Sequence, residues 1–363
     1  MSSSITNSNF GDTSSAEPAV SIVVPCRNEA DHIEAALRSI LAQETPPGEF
    51  EVIVADGMSD DGTREILQKL AGEDPRLRII DNPGRIVSTG LNQAIRLARG
   101  EIIARMDAHT EYAPDYIGQC VTVLKETEAD NVGGAWVAKG DGLVSRAIAA
   151  AFQSPFAAGG ATGHDPSYEG AVDLVYLGCW RREVCDRVGL FDEELVRNQD
   201  DEFNFRLKLA GGKIWQSRRI KSWYKPRGSL RALFQQYMQY GYWKVRVIQK
   251  HRMPASPRHL VPGIFVLLML GLPLASPWRP FASWAWLGLA GIYAICNIVA
   301  SCLTAAWRGW KLFPILPFVF ACYHFAYGLG FLHGIWDLVI LRRGPSRTYT
   351  DLTRASATNL LQK

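Results

Sequence analysis

Acidic residues are almost missing from the second half of this 363-residue chain. No Asp or Glu occurs between Glu202 and Asp337, and residues 203–363 hold two acids against 22 bases. Residues 1–202 hold 34 acids and 17 bases, so a net charge of +3 conceals one half near −17 and another near +20. Such asymmetry directs the basic half toward an anionic surface, either nucleic acid or a membrane leaflet. Cysteine is scarce as well: the seven are an odd number and no C-x-x-C occurs. That excludes a disulfide scaffold and a zinc cluster, and predicts reduced, packed thiols. With 32 Gly and 19 Pro among 47% hydrophobic residues, neither a collagen-like chain nor wholesale disorder fits. Nothing reads as a signal peptide; residues 1–18 are polar and Ser/Thr-rich and predict a disordered start.

What the second half does contain is long apolar runs. Leu260–Trp278, Pro280–Trp307 and Leu312–Trp336 carry no charge over 19, 28 and 25 residues. Runs of about 18 or more read as transmembrane helices. Trp278, Trp284, Trp286, Trp307 and Trp310 lie near the run ends, where interfacial aromatics gather. The basic residues border these runs, so the partner is membrane lipid and not nucleic acid. Ahead of them, Leu230, Leu233, Phe234, Tyr237, Gly241, Val245 and Ile248 recur at helical spacing among basic residues, predicting an interfacial helix over Ser229–Lys250. The expected layout is a disordered 1–18, a catalytic domain over 19–228, an interfacial region over 229–258, about three membrane helices over 259–341 and a basic tail over 342–363. A chain ended near Arg258 should then still fold over 19–224. The basic run before Leu260 puts the domain on the cytoplasmic side of an inner membrane. Three spans would export Arg342, Arg343 and Arg347, and Pro314 and Pro317 leave room for a re-entrant or interfacial last run.

Residues 19–110 alternate in period. Val20–Pro25, Glu51–Ala55, Leu77–Ile80 and Glu101–Met106 read as strands, separated by helices over Glu29–Gln43, Thr63–Leu70 and Gly90–Arg99. This predicts an α/β fold, a mostly parallel sheet with helices on both faces. Its ligand would lie beyond the carboxyl ends of the strands, at Pro25, Asp56 and Asp107. Residues 139–170, rich in Gly, Ala and Ser, predict a mobile segment with a short helix over Leu143–Phe152.

Four groups carry possible chemistry. At the second strand end, Asp60, Asp61 and Gly62 read as turn chemistry, and Asp56 as a ligand contact. At the fourth, Asp107 and His109 stand two apart: carboxylate and imidazole can hold a divalent cation between phosphates, Mn²⁺ as readily as Mg²⁺, or form only a surface turn. Asp200, Asp201 and Glu202 are consecutive at a helix start. They offer a general base or a dipole partner, with the identity of the base open among the three. On the basic helix, Gln236, Tyr240, Trp243 and Lys244 could contact sugar and phosphate or form a solvated face.

In order and spacing, Pro25 to Glu29, Val54 to Thr63, Asp107-Ala108-His109 and Gln199 to Arg206 resemble glycosyltransferase family 2 on the GT-A fold, and within it the ExoA-type exopolysaccharide glucosyltransferases of succinoglycan synthesis. The resemblance implies that Pro25, Arg27, Glu29 and Asp56 line a uridine pocket, with Arg85 near the diphosphate. Asp107 and His109 would hold Mn²⁺ or Mg²⁺, Asp107 also contacting the donor, and Asp200 would be the catalytic base. Gln236, Tyr240, Trp243 and Lys244 fall near the family's Q-x-x-R-W motif, from which this sequence departs. The implied activity is inverting transfer of a sugar, glucose by this resemblance, from a UDP-sugar to a polyprenyl-diphosphate-linked oligosaccharide at the membrane. Transfer to a bare polyprenyl phosphate, and a non-catalytic membrane scaffold, are the rival readings.

Overall fold

The alternation of strands and helices is realised in the computed structural model, which describes residues 17–44, 50–160, 162–344 and 349. First come β1 (Val20–Cys26), α1 (Ile33–Leu41), β2 (Phe50–Asp56), α2 (Thr63–Glu73), β3 (Leu77–Asp81), α3 (Val87–Leu97) and β4 (Ile102–Arg105). The strands are apolar on both faces, as a sheet covered on both sides requires. Val20, Ile22 and Val24 of β1 meet Ile33, Leu37 and Ile40 of α1, while Val23 points the other way, toward Leu91 and Ile95 of α3. The first helix starts four residues later than expected, because the Glu29 carbonyl accepts the N–H groups of His32 and Ile33 in a turn.

The chain continues through β5 (Thr110–Tyr112), α4 (Tyr116–Thr127), β6 (Asn131–Gly134), β7 (Val137–Ala138), α5 (Leu143–Phe152), α6 (Pro155–Ala158), β8 (Gly170–Ala171), β9 (Tyr176–Arg181), α7 (Glu183–Val188), α8 (Gln199–Leu209), β10 (Ile214–Gln216) and β11 (Ser222–Tyr224). The main sheet runs β3-β2-β1-β4-β9-β6-β10-β8, and β5-β11-β7 form a smaller one. Only β9 and β8 run against the common direction of the main sheet. Within 139–170 the expected short helix forms over Leu143–Phe152 as α5. Ala147 to Phe152 of α5 are buried against Leu316, Phe320 and Tyr323, contacts its composition could not reveal. All seven cysteines are free, and Cys26, Cys120, Cys179 and Cys185 are buried.

The basic half begins with α9 (Leu230–His251), opened by the Ser229 side chain accepting the Ala232 N–H at 3.2 Å. Then follow α10 (Val261–Ala275), α11 (Phe281–Arg308), α12 (Leu316–Ala321) and α13 (Tyr327–Gly334), with π-helical turns at Cys322–Ala326 and Ile335–Ile340. Among the described residues three stretches are long and apolar enough to cross a bilayer: Pro257–Ala275, Phe281–Arg308 and Leu316–Ile340. Their burial inside the protein differs, at 11%, 22% and 44%. Over the region expected to be interfacial, α9 is enclosed from Gly241 to Val245, because α13 lies directly on it. A Cβ at Gly241 would meet the Tyr327 carbonyl, and one at Gly330 would meet that of Met238. The expected disordered start lies almost wholly, and the basic tail mostly, outside the described residues.

Candidate active site

A cleft of about 620 Å³ opens at the carboxyl ends of β1, β2 and β4. Parallel strands leave such a crevice because their helices return on either face. Pro25, Arg27, Glu29, Arg85, Asp107, His109, Asp200, Gln236, Tyr240 and Lys244 all line it. Asp56 and Trp243 do not.

The Asp56 carboxylate faces its own loop. It accepts from the Ser59 hydroxyl at 2.6 Å and from Arg64 Nη1 at 2.9 Å, with 2% of its side chain exposed. Its neighbour Gly57 reaches the cleft instead. Asp61 acts in the turn, accepting the N–H groups of Thr63 and Ala30. Trp243 lies in an apolar cluster with Leu195 and Val196. Gln236 and Tyr240 stand two turns and one turn away on the same side of the helix, yet the indole is closed over inside that cluster, a burial its sequence neighbours could not show. Arg27 Nη1 donates to the Arg85 carbonyl at 3.2 Å, tying two segments of the cleft wall. Arg85 and Asn198 have φ of 57° and 62°, a left-handed conformation that non-glycine residues rarely adopt and that clusters at functional sites.

At the end of β4, Arg105 grips Asp107 with Nε and Nη2 at 3.1 and 3.2 Å, and its Nη1 lies 3.9 Å from Asp200. Burial works against the Arg105 charge, but the two carboxylates outweigh it and raise its pKa. Sequence reasoning passed over Arg105, because nothing local says that a strand arginine will face two separate acids. The three consecutive acids separate clearly. Glu202 is clamped by Arg206 and touches His251, with 3% of its side chain exposed. Asp201 is ion-paired to Lys244, with 14% exposed. Asp200 is 36% exposed and faces the cleft. Asn198 Nδ2 donates to the Tyr240 carbonyl, and Phe203 packs on Phe191, so α8 is fixed at its start and along its flank. An aromatic wall, also unforeseen, comes from segments far apart in the chain, with Trp136 stacked on Tyr176 at 5.0 Å and Tyr224 beside both.

The donor set fits a hard divalent cation. Among the described residues no group of three His, Cys, Asp or Glu side chains could hold a metal by itself. Mg²⁺ and its like take one or two protein ligands and complete their shell with substrate phosphates and water. Asp107 and His109 supply such a partial set. Glu29 Oε1 lies 3.3 Å from His109 Nδ1, the carboxylate support that orients a metal-binding imidazole through its other nitrogen.

A mixed α/β sheet with acids at its strand ends and a deep crevice between them is the arrangement in which α/β proteins bind their ligands. The sequence profile of glycosyl transferase family 2 matches residues 21–168. The succinoglycan biosynthesis protein ExoA of Rhizobium meliloti is 32% identical over 318 residues, 87% of this chain and 94% of that one. This chain belongs to glycosyltransferase family 2. A second relative, from Methanococcus voltae, is a dolichyl N-acetyl-alpha-D-glucosaminyl phosphate 3-beta-D-2,3-diacetamido-2,3-dideoxy-beta-D-glucuronosyltransferase, 24% identical over 64% of this chain and 74% of its own. Among solved structures, the Pyrobaculum calidifontis mannosyltransferase PcManGT, in complex with GDP-Man and Mn2+, superposes with a TM-score of 0.56 at 21% identity, covering 89% of this chain and 88% of that one. The fold is GT-A.

Proposed function

We propose that this protein transfers a sugar, glucose in our reading, from a UDP-sugar to a polyprenyl-diphosphate-linked oligosaccharide, with inversion, in the synthesis of an exopolysaccharide. The observation that carries the proposal is the exposure of Asp200 in a run of three acids. Asp201 and Glu202 are committed to ion pairs; Asp200 alone presents a carboxylate toward the strand-end group of Arg105 and Asp107. A base so placed takes the proton of an acceptor hydroxyl as its oxygen attacks the anomeric carbon. The bond to the diphosphate breaks on the opposite side and UDP leaves. One base and direct displacement invert the centre, as in inverting hydrolases.

Pro25, Arg27, Glu29 and Arg85 form the nucleotide end in this reading. Asp56 acts indirectly, by holding the loop that brings Gly57 to the cleft. Asp107 and His109 would bind Mn²⁺ or Mg²⁺, with Glu29 orienting the imidazole. The cation, when bound, neutralises charge developing on the leaving diphosphate. Gln236 donates to the Tyr240 hydroxyl at 2.8 Å, and the two side chains face the acceptor side.

The proposed location is the cytoplasmic face of the inner membrane, with α10 and α11 as a hairpin in the bilayer. Val261, Ile264, Leu267 and Leu274 of α10, and Leu287, Ile292 and Ile295 of α11, are exposed. The hairpin leaves the domain at Arg258 and returns where Arg308 bonds Gln153 at 2.7 Å. The third run rides on the domain instead. Tyr323 bonds the Ile148 carbonyl, His324 that of Phe156, and Asp337 the Tyr242 hydroxyl.

The test is Asp200→Asn, which keeps the shape and removes the basicity. Turnover of the UDP-sugar should fall by roughly 10²–10⁴-fold, with UDP affinity retained and Asp201→Asn less affected. Normal turnover of Asp200→Asn beside a dead Asp201→Asn or Glu202→Gln would move the base to another carboxylate.

A further inference from the structure

The cleft continues past Asp200 toward the foot of the apolar helices, and its wall changes character on the way. Lys244 of α9 and the turn residues Arg258 and His259 come together there. Asp201 pairs with Lys244, and Asp173 lies 3.7 Å from Arg258 while also pairing with Lys208. Lys244, Arg258 and Lys208 thus face two carboxylates, with the His259 ring, its pKa lowered to about 4 by burial, neutral beside them. The ring nitrogen Nδ1 of His259 is closed off from solvent and has no hydrogen-bond partner among the described residues. One helical turn further the wall is apolar: Val261 and Pro262 on α10, with Tyr327 of α13 opposite. Beyond them the α10 surface is the lipid-facing one, with Ile264, Leu267 and Leu268 exposed.

A neutral sugar chain has no use for a cationic patch set between a general base and a lipid surface. A phosphorylated lipid uses all three parts. We propose that Lys244, Arg258 and His259 seat the phosphate or diphosphate of a polyprenyl-linked acceptor, and that its isoprenoid chain leaves the cleft between Val261 and Tyr327 along α10. This rests on the transferase reading above, which puts the acceptor hydroxyl at Asp200. The guanidinium of Arg258 has five N–H donors, so Asp173 can hold it in place while it also binds phosphate. His259 Nδ1 gains the partner it lacks. A phosphate on a phospholipid headgroup has the same chemistry, and the experiment separates the two sources.

Full-length protein in phosphatidylcholine nanodiscs, with saturating UDP and Mn²⁺ occupying the nucleotide end, is titrated with farnesyl diphosphate and followed by tryptophan fluorescence. Arg258→Gln should weaken binding about tenfold or more, as expected for a lost charge-assisted hydrogen bond. His259→Phe should weaken it several-fold, and Arg258→Lys should stay within a few-fold of the parent. Inorganic pyrophosphate should compete, and UDP affinity should not change in any variant. Absent binding, or binding indifferent to both Arg258→Gln and His259→Phe, overturns the seat. If Arg258→Gln lowers the unfolding temperature, His259→Phe alone decides. Repeating the titration in phosphatidylglycerol discs should leave farnesyl diphosphate affinity unchanged. Loss of that binding in phosphatidylglycerol, with Arg258-dependent attachment to those discs, assigns the seat to headgroups and overturns the polyprenyl assignment. Failure of the parent protein to bind UDP sinks the transferase reading separately, since farnesyl diphosphate binding is read on its own.

Discussion

Arg105 links the two acids on which the proposed chemistry depends. It holds Asp107 in a two-point grip at the buried end of β4 and stands beside the more exposed Asp200 of α8. Removing it strands a carboxylate away from water, which typically costs about 3–5 kcal/mol when a buried pair is broken from one side. Arg105→Met should therefore lower stability on that scale in denaturant titrations, and a change under 1 kcal/mol would show that the grip is dispensable. Asp107→Ala should abolish turnover, and a chelator should silence the parent enzyme; full activity in chelator would remove the metal from the reaction. Asp201 gives a pH signature. Burial opposes its charge, but Lys244 more than compensates and holds its pKa below the usual carboxylate range. A depressed pKa in the folded state stabilises the protein above the unfolded value of about 3.9. That contribution is lost as pH falls through the folded value. The stability gap between the parent and Asp201→Asn should thus be widest near pH 7 and close below about pH 4. The strand-end position of Asp107 was legible from chain order, as was the nearness of His109 two residues on. Arg105 was not, because its partner Asp200 lies 95 residues further on.

At the scale of elements, the contact of α9 with α13 decides how the basic half is built. Glycines on both helices let the backbones approach, and Tyr242 reaches the buried Asp337 at 2.6 Å. Gly330→Val would drive a side chain into the Met238 carbonyl and should cost about 1–3 kcal/mol. Gly288→Ala, in the open flank of α11 where no atom stands within 4 Å of the added carbon, should be near neutral. Thermal unfolding in detergent compares the two, and equal effects would mean that the seam carries no stability. The amphipathic spacing of Ser229–Lys250 did identify a helix, with bounds nearly as observed. It could not say that a second apolar helix, not lipid, covers it, since both solutions satisfy the same periodicity.

The whole molecule then divides unequally between water and lipid. A chain ended at Arg258 would lose Phe331 and Leu338, which cover Tyr242 and Val245. Such a chain is expected to aggregate or unfold at lower temperature, contrary to the autonomy its sequence suggested; a monodisperse product with unchanged stability would refute this. In the proposed topology, with only α10 and α11 in the bilayer, the segments before and after the hairpin share one side. In a cysteine-free background, Asp60→Cys and Gly344→Cys should react with an impermeant thiol reagent from the same face, and Arg279→Cys from the other. Labelling of Gly344→Cys together with Arg279→Cys would restore a third crossing. The same-side arrangement also removes the conflict between three apolar runs and the basic Arg342 and Arg343.

Chain order and local period were enough for the α/β alternation, the strand ends that carry Pro25 and Asp107, the helix that starts at Gln199, and the three apolar runs. Each depends on residues within one or two turns of each other, and hydrophobic spacing records that directly. The identity of the acid open to the cleft, the support of His109 by Glu29, the burial of Trp243, the aromatic wall and the docking of the third run were decided by packing. Every one of them joins side chains from distant segments, such as Trp136 with Tyr176 and Gly241 with Tyr327. A carboxylate next to a lysine in space and one next to water look the same in a run of three acids. Only the fold determines which of them is left to act.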